Sequence, residues 1–382
     1  MQYRKFGQLD FEVSALGFGA MRLPTVDGDY SRIDEKTAVD MIRMAIDRGI
    51  TYIDTAFPYH GGHGEALVGK ALRNGYCDKV KLATKLPIWD VETHDDFSRI
   101  LDIQLQRLET ECIDFYLIHA LNEERWEKTK RLKILKAAEE AKAEGKISHF
   151  GFSFHDEYPV FEQILDEYKG WEFCQIQYNF MDVDYQAGLK GLREAHKRGL
   201  AVIVMEPLKG GQLAAEPPAQ TKPVWDRLGA SARKNGHVDL SLKWIWDHRE
   251  VSVVLSGMST IEQLEQNLVG AEESAPGVFS EQTYALFERL RGMYKGLRKV
   301  DCTGCAYCMP CPSGVNIPRI LDLYNSLYMY GFKDQPKRVY NLVLRDGERA
   351  DSCIECGVCE EACPQSIEII DSLKTAHRQL AD

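Results

Sequence analysis

The chain has 382 residues, 44% of them hydrophobic, enough to bury one large core and a second, smaller one. A formal net charge of -11 argues against nucleic acid or an anionic membrane surface as a general partner, and no apolar run approaches the roughly 20 residues that span a bilayer. The opening residues MQYRKFGQ lack the apolar core of a secretory signal, so a reducing cytoplasm is the expected location and disulfides are not expected.

In chain order, segment 2–13 reads as a hairpin, turning near 7–10, that closes the amino-terminal end of a barrel. Eight short β-branched and aromatic runs follow: SALGFGAM, ITYIDTA, VKLATKL, DFYLIHA, HFGFSF, FCQIQYN, AVIVMEP and VSVVLSG. Between them, stretches such as 36–48, 67–73 and 130–142 carry apolar residues at helical spacing. Strand and helix alternating eight times over about 280 residues predict an α/β fold, a (β/α)8 TIM barrel spanning 1–285. The isolated Cys77, Cys112 and Cys174 are expected to be small core residues.

The remaining 286–382 form a second domain with two dense cysteine runs. Cys302, Cys305, Cys308 and Cys311 precede Pro312, and Cys353, Cys356, Cys359 and Cys363 precede Pro364. The second run matches the bacterial C-x2-C-x2-C-x3-C-P pattern of iron-sulfur proteins, and the first is one residue shorter before its last cysteine. Because the fourth cysteine of each run serves the other cluster in two-cluster ferredoxins, Cys302, Cys305, Cys308 and Cys363 are expected on one 4Fe-4S centre and Cys353, Cys356, Cys359 and Cys311 on the other. Zinc is the rival metal, but a zinc ion takes four ligands and seldom uses two consecutive runs of four. The segment around 317–332 reads as helix, so the module is predicted to be a small, mainly α-helical ferredoxin-type domain.

In a TIM barrel the chemistry lies where strands end. Asp54 ends the second run and Tyr59 follows it, Lys85 ends the third, and His119 ends the fourth. Singly, each is as well read as a loop anchor or packing residue; together, on successive strands, they describe a site. His155, Trp89, Phe57, Phe154 and Trp126 are further pocket candidates, each with ordinary packing as its alternative. Phosphate groups favour the loops after strands seven and eight, here Pro207, Leu208, Lys209 and Gly211, then Ser256, Gly257, Met258 and Thr260, with Ser259 and Glu262 spaced as a capping box.

The words YIDTAFPYHGGHGE, LATKL, DFYLIHA, GFSFHD, QIQYN and VVLSGMSTIEQLEQN, in that order on successive strands, resemble the aldo-keto reductase family, in the subgroup that carries a carboxyl-terminal two-cluster 4Fe-4S domain. The resemblance implies an oxidoreductase that interconverts a small-molecule carbonyl and an alcohol by hydride transfer with NADP or NAD. Tyr59 would be the general acid, made acidic by Lys85, with Asp54 holding the lysine and His119 donating to the substrate oxygen. Ser153 and Gln175 would bind the carboxamide of the nicotinamide, Met21, Asp54 and Met205 would adjoin it, and Gln263, Gln266 and Asn267 would face the adenine end. The sequence departs from the family pattern at Phe154, where asparagine is expected, at Met205, where a stacking aromatic is expected, and in the absence of basic residues over 257–263. NADH and NADPH are therefore not distinguished.

Nicotinamide moves electrons in pairs and clusters move them singly, so the clusters imply a relay to a redox partner such as a ferredoxin, with a flavin as a possible intermediary. Arg289, Arg291, Lys295, Arg298 and Lys299 form a basic run suited to an acidic partner, although a solvated helix face is its commoner meaning. The alternative is an iron-sulfur electron-transfer or redox-sensing protein whose barrel binds a flavin or another ligand without reducing carbonyls.

Overall fold

The computed structural model describes residues 1–229, 236–331 and 333–381. Among these, eight parallel strands close into one barrel: β3 (Leu16–Gly19), β4 (Tyr52–Asp54), β5 (Lys81–Leu86), β6 (Ile113–Leu121), β7 (Ile147–Phe154), β8 (Phe173–Gln177), β9 (Ala201–Met205) and β10 (Val251–Ser256). Closure comes where β10 pairs with both β9 and β3, in parallel register on each side. The strands are buried on both faces, as β9 with AVIVM and β10 with VSVVLS show, because helices cover the sheet from outside. The TIM barrel read from the sequence is the observed architecture.

A hairpin of β1 (Tyr3–Lys5) and β2 (Glu12–Ser14) precedes the barrel, with Arg4 opposite Val13. Its turn drives Phe6 against Tyr52, Phe115 and Phe173, at ring separations of 6.3, 4.5 and 5.7 Å. Tyr52 and Phe173 are the first residues of their strands, so the hairpin plugs the amino-terminal end and leaves the carboxyl-terminal end for chemistry. Gly7 permits this: its φ is +60°, and a Cβ there would lie 2.5 Å from the amide nitrogen of Ala201.

Three local expectations need correction. The helix expected over 130–142 is two helices, Glu123–Arg131 and Ile134–Ala143, parted where Lys133 takes a φ of +55°. Of the three isolated cysteines only Cys174 is buried; Cys77 is exposed and Cys112 half-buried, because both lie on connections outside the barrel wall. The helix Ile261–Glu272 is capped by Thr260, whose hydroxyl accepts from the Gln263 amide, and Gln263 Oε1 reaches back to the Ser259 amide, so the cap sits one residue later than the expected Ser259–Glu262 pair.

By their internal contacts the residues group into two compact units: Met1–Pro207 with Ser241–Phe279, and Leu208–Leu240 with Ser280–Asp382. The second unit is helical. Ile317–Met329, Asp334–Leu342 and Ile369–Leu380 bury Ile320, Leu321, Tyr340, Leu373 and Leu380 in a core of their own. Asn325 pins the approach to the first cysteine run, with Oδ1 accepting from the amides of Lys299 and Val300 and Nδ2 donating to the Val300 carbonyl.

Candidate active site and cluster ligands

Four expected residues meet at the carboxyl-terminal end of the barrel. Register places Asp54 beside Ala83 and Lys85 beside Leu117, so neighbouring strands present their last polar side chains to one mouth. Lys85 Nζ donates to Asp54 Oδ1 at 2.6 Å and to the Thr55 carbonyl at 2.7 Å. Its ammonium lies 5.1 Å from the ring centroid of Tyr59, whose ring meets the His119 imidazole edge-on at 6.0 Å. Behind the lysine, Gln104 Nε2 donates to the Lys85 carbonyl at 3.1 Å, and buried Glu65 accepts from Thr84 and Gln104 and pairs with Arg107. Glu65 closes the first motif quoted above, but nothing in the linear sequence gave it this supporting place.

Burial sets the resting charge state of these groups. Burial raises the pKa of Tyr59 well above its ordinary value, and the Asp54 carboxylate adds to the rise. The ammonium donates to Asp54 and Thr55 and faces the ring of Tyr59, so burial keeps the phenol protonated at rest while the neighbouring positive charge favours the phenolate once the proton leaves. Burial lowers the pKa of Lys85 and raises that of Asp54, each shift opposed by attraction between the two. His119 is pushed well below its usual value by burial and then by the charge of Lys85. It is therefore a neutral imidazole at neutral pH, and its Nδ1 is buried without a hydrogen-bond partner among the described residues. A buried unpartnered lone pair costs less than an unpartnered N–H, which favours the proton on Nε2.

Ser153 and Gln175 face each other in register on β7 and β8. Ser153 Oγ accepts from the Ala120 amide at 2.7 Å, leaving its hydroxyl hydrogen to donate, and Gln175 Nε2 donates to Asp54 Oδ2 at 3.2 Å, leaving Oε1 to accept. One donor beside one acceptor matches a primary carboxamide. Met205 ends β9 half-buried, and Met21, 42% exposed, follows β3. After β10, Ser256 Oγ accepts from the buried Asn267 at 2.8 Å, Met258 is buried, and Gln263 is engaged in the helix cap while Gln266 is exposed. Pro207 is buried at the end of the barrel unit. Leu208, Lys209 and Gly211 belong to the second unit, where the turn Lys209–Ala214 carries positive φ at Lys209, Gly210 and Gly211. Part of the long loop that follows lies outside the described residues.

Segment 257–263 has no basic residue, but Arg22 packs beside it. Arg22, after β3, packs its side chain on Gly257, its carbonyl accepts from Ser259 Oγ at 2.8 Å, and its guanidinium lies 3.6 Å from Glu206. Of the four aromatic pocket candidates, Trp89 and Phe57 stand at the mouth side of their strands, whereas Trp126 donates to Glu167 and Phe154 packs on Phe161, both in the helix layer. His155 stands beside Gln186, with Nδ1 3.4 Å from Gln186 Nε2.

In the helical unit, Cys302, Cys305, Cys308 and Cys363 line one cavity together with Ile317, Leu321, Pro364 and Ile367. The fourth cysteine of the second run thus stands with the first three of the first run. Cys359 keeps company with Cys353 and Cys311, the reciprocal set, whose negative charges add to burial and Glu360 in raising its pKa. Four thiols around an apolar cavity suit a cube that takes one thiolate at each iron.

The profile of the aldo/keto reductase family matches residues 15–285. The chain belongs to that family. A 4Fe-4S dicluster domain matches residues 301–368. Among similar proteins, the probable aldo-keto reductase 1 of Glycine max is 27% identical over 300 residues, covering 69% of this chain and 82% of its own length. The L-galactose dehydrogenase of Arabidopsis thaliana is 26% identical over 313 residues, covering 78% and 96%. The holo form of an aldo-keto reductase from Bacillus halodurans superposes with a TM-score of 0.62 at 26% identity, covering 76% of this chain and 96% of that one.

This aldo/keto reductase is thus an oxidoreductase-type barrel joined to a dicluster module, with residues of a type that fits a nicotinamide and two clusters. No helix among the described residues is long and apolar enough to cross a membrane.

Proposed function

We propose that the protein is a nicotinamide-dependent reductase of small carbonyl compounds, or the corresponding alcohol dehydrogenase, and that two 4Fe-4S clusters connect it to a one-electron partner. The observation that carries this reading is the buried Lys85–Asp54 pair at 2.6 Å beneath the ring of Tyr59, with the His119 imidazole at its edge.

A reduced nicotinamide dinucleotide supplies a hydride to the carbonyl carbon when bound, with Ser153 and Gln175 holding its carboxamide and Ser256, Thr260, Gln263, Gln266 and Asn267 on the side of its adenosine. Tyr59 gives the phenolic proton to the carbonyl oxygen as negative charge builds there, and it does so from a fully protonated ground state. Asp54 keeps Lys85 an ammonium, and Lys85 stabilises the phenolate that proton transfer leaves behind. His119 Nε2 donates a hydrogen bond to the same oxygen and fixes the carbonyl against Tyr59. Alcohol oxidation runs these transfers in reverse.

Cys302, Cys305, Cys308 and Cys363 would hold one cluster and Cys353, Cys356, Cys359 and Cys311 the other, which when present pass electrons one at a time. The basic run from Arg289 to Lys299 suits docking of an acidic ferredoxin. The test is anaerobic purification of the full chain, iron and sulfide counting, electron paramagnetic resonance and mass spectrometry of released cofactors, then mixing with NADH or NADPH and a panel of aldehydes and ketones. Carbonyl-dependent oxidation of either nucleotide supports the proposal. Failure with both, together with a released flavin, would favour an electron-transfer protein.

A further inference from the structure

The histidine at the barrel mouth is the start of a line of ring contacts that ends in a cation. The His119 ring lies 4.9 Å from the indole of Trp89, tilted 48° to it, and the guanidinium carbon of Arg125 lies 5.1 Å from the centroid of that indole. Arg125 is tethered at the site itself: Nη1 donates to the carbonyl of Ala120, the residue after His119, at 2.7 Å. Asn122 caps the helix Glu123–Arg131 by accepting from the Arg125 amide, and Lys128, a turn later, donates to the Trp89 carbonyl at 3.0 Å, so helix and indole are fixed together. Trp89 remains 37% exposed.

A half-buried guanidinium normally faces a carboxylate, since charge withdrawn from water without a partner is costly. Among the described residues Arg125 makes no ion pair. Asp156, the nearby acid, accepts from the Glu123 amide. Burial lowers the pKa of Arg125, with Glu124 only partly opposing the fall.

From these contacts we infer that Arg125 and Trp89 form a subsite for the distal end of the substrate, and that the preferred substrates are aldehydes or ketones bearing a carboxylate or phosphate. The guanidinium offers the fork that such a group takes in two hydrogen bonds, and the indole supports the carbon chain between anion and carbonyl. This rests on the carbonyl-reductase reading, whose oxygen site is Tyr59 and His119.

The test compares 4-carboxybenzaldehyde with 4-carbamoylbenzaldehyde on the anaerobically purified full chain, and repeats both with Arg125→Gln and Arg125→Lys. The wild type is expected to favour the carboxylate. Arg125→Gln should lower its kcat/KM roughly 10- to 100-fold, mainly through KM, and lower that of the amide much less, while Arg125→Lys recovers part of the loss. Equal turnover of the two aldehydes by the wild type, or an equal fall for both in Arg125→Gln, overturns the anion subsite with the reductase reading intact. If neither aldehyde turns over, calorimetric binding of the same pair decides: a carboxylate preference that Arg125→Gln abolishes supports the subsite, and its absence refutes it.

Discussion

Lys85 Nζ and Asp54 Oδ1 lie 2.6 Å apart with side chains only 2% and 1% exposed, so among the described residues each is the other's charged hydrogen-bond partner in a buried site. Taking away one partner strands a buried charge. Asp54→Ala should destabilise the barrel by about 3–5 kcal/mol, whereas Asp54→Leu with Lys85→Met should restore most of that stability without restoring activity. Urea unfolding followed by tryptophan fluorescence measures both; an Asp54→Ala protein as stable as the wild type would mean that the pair does not carry charge.

Tyr59→Phe removes the proton donor and keeps the ring that faces Lys85. Turnover of any verified carbonyl substrate should fall about 10²- to 10⁴-fold, with the circular dichroism spectrum unchanged. A variant working at the wild-type rate would remove Tyr59 from the mechanism.

Glu172 ties the start of β8 to its neighbours. Burial raises its pKa, but hydrogen bonds from His149, Lys142 at 2.5 Å and the Phe150 amide outweigh that and hold the carboxyl at about 2, against its usual 4.5. A carboxyl depressed on folding contributes stability above its unfolded pKa and loses it as pH falls through the folded value. Wild-type stability should therefore drop between about pH 4.5 and 2 in part through this group. Glu172→Gln should be less stable at pH 7 and show a shallower loss across that window, as urea midpoints measured from pH 7 to 3 would reveal.

The crossed ligand sets can be separated by iron counting. Cys363→Ala should lower the count from about eight to about four per chain, and adding Cys302→Ala should lose no more, because both serve one cluster. Adding Cys353→Ala instead should empty both sites. If the first pair lost both clusters and the second only one, the assignment would be reversed.

Much of the barrel was legible because its strands are continuous apolar runs too short for helices, and because Asp54, Lys85 and His119 stand at or within two residues of the ends of three of them. The cysteine spacing carried the dicluster module in the same direct way. The helix break at Lys133, where φ is +55°, left no such signal, since no glycine or proline marks it. The cap at Thr260 was misplaced by one residue because neighbouring Ser259 and Thr260 are equally good acceptors in sequence, and only backbone geometry chooses between them.

Residue type and spacing by themselves determined which fold the chain adopts, that several polar residues gather at the carboxyl ends of the barrel strands, and that a 4Fe-4S dicluster domain follows. Those are local properties: periodicity sets an element, and ligand spacing sets a turn. The charge state of the site was decided only in three dimensions, where burial keeps the proton on Tyr59, strips it from His119 and leaves Arg125, several residues from any predicted strand end, beside the indole of Trp89. Such effects depend on distance and on the exclusion of water, and neither is written in the order of residues along a chain.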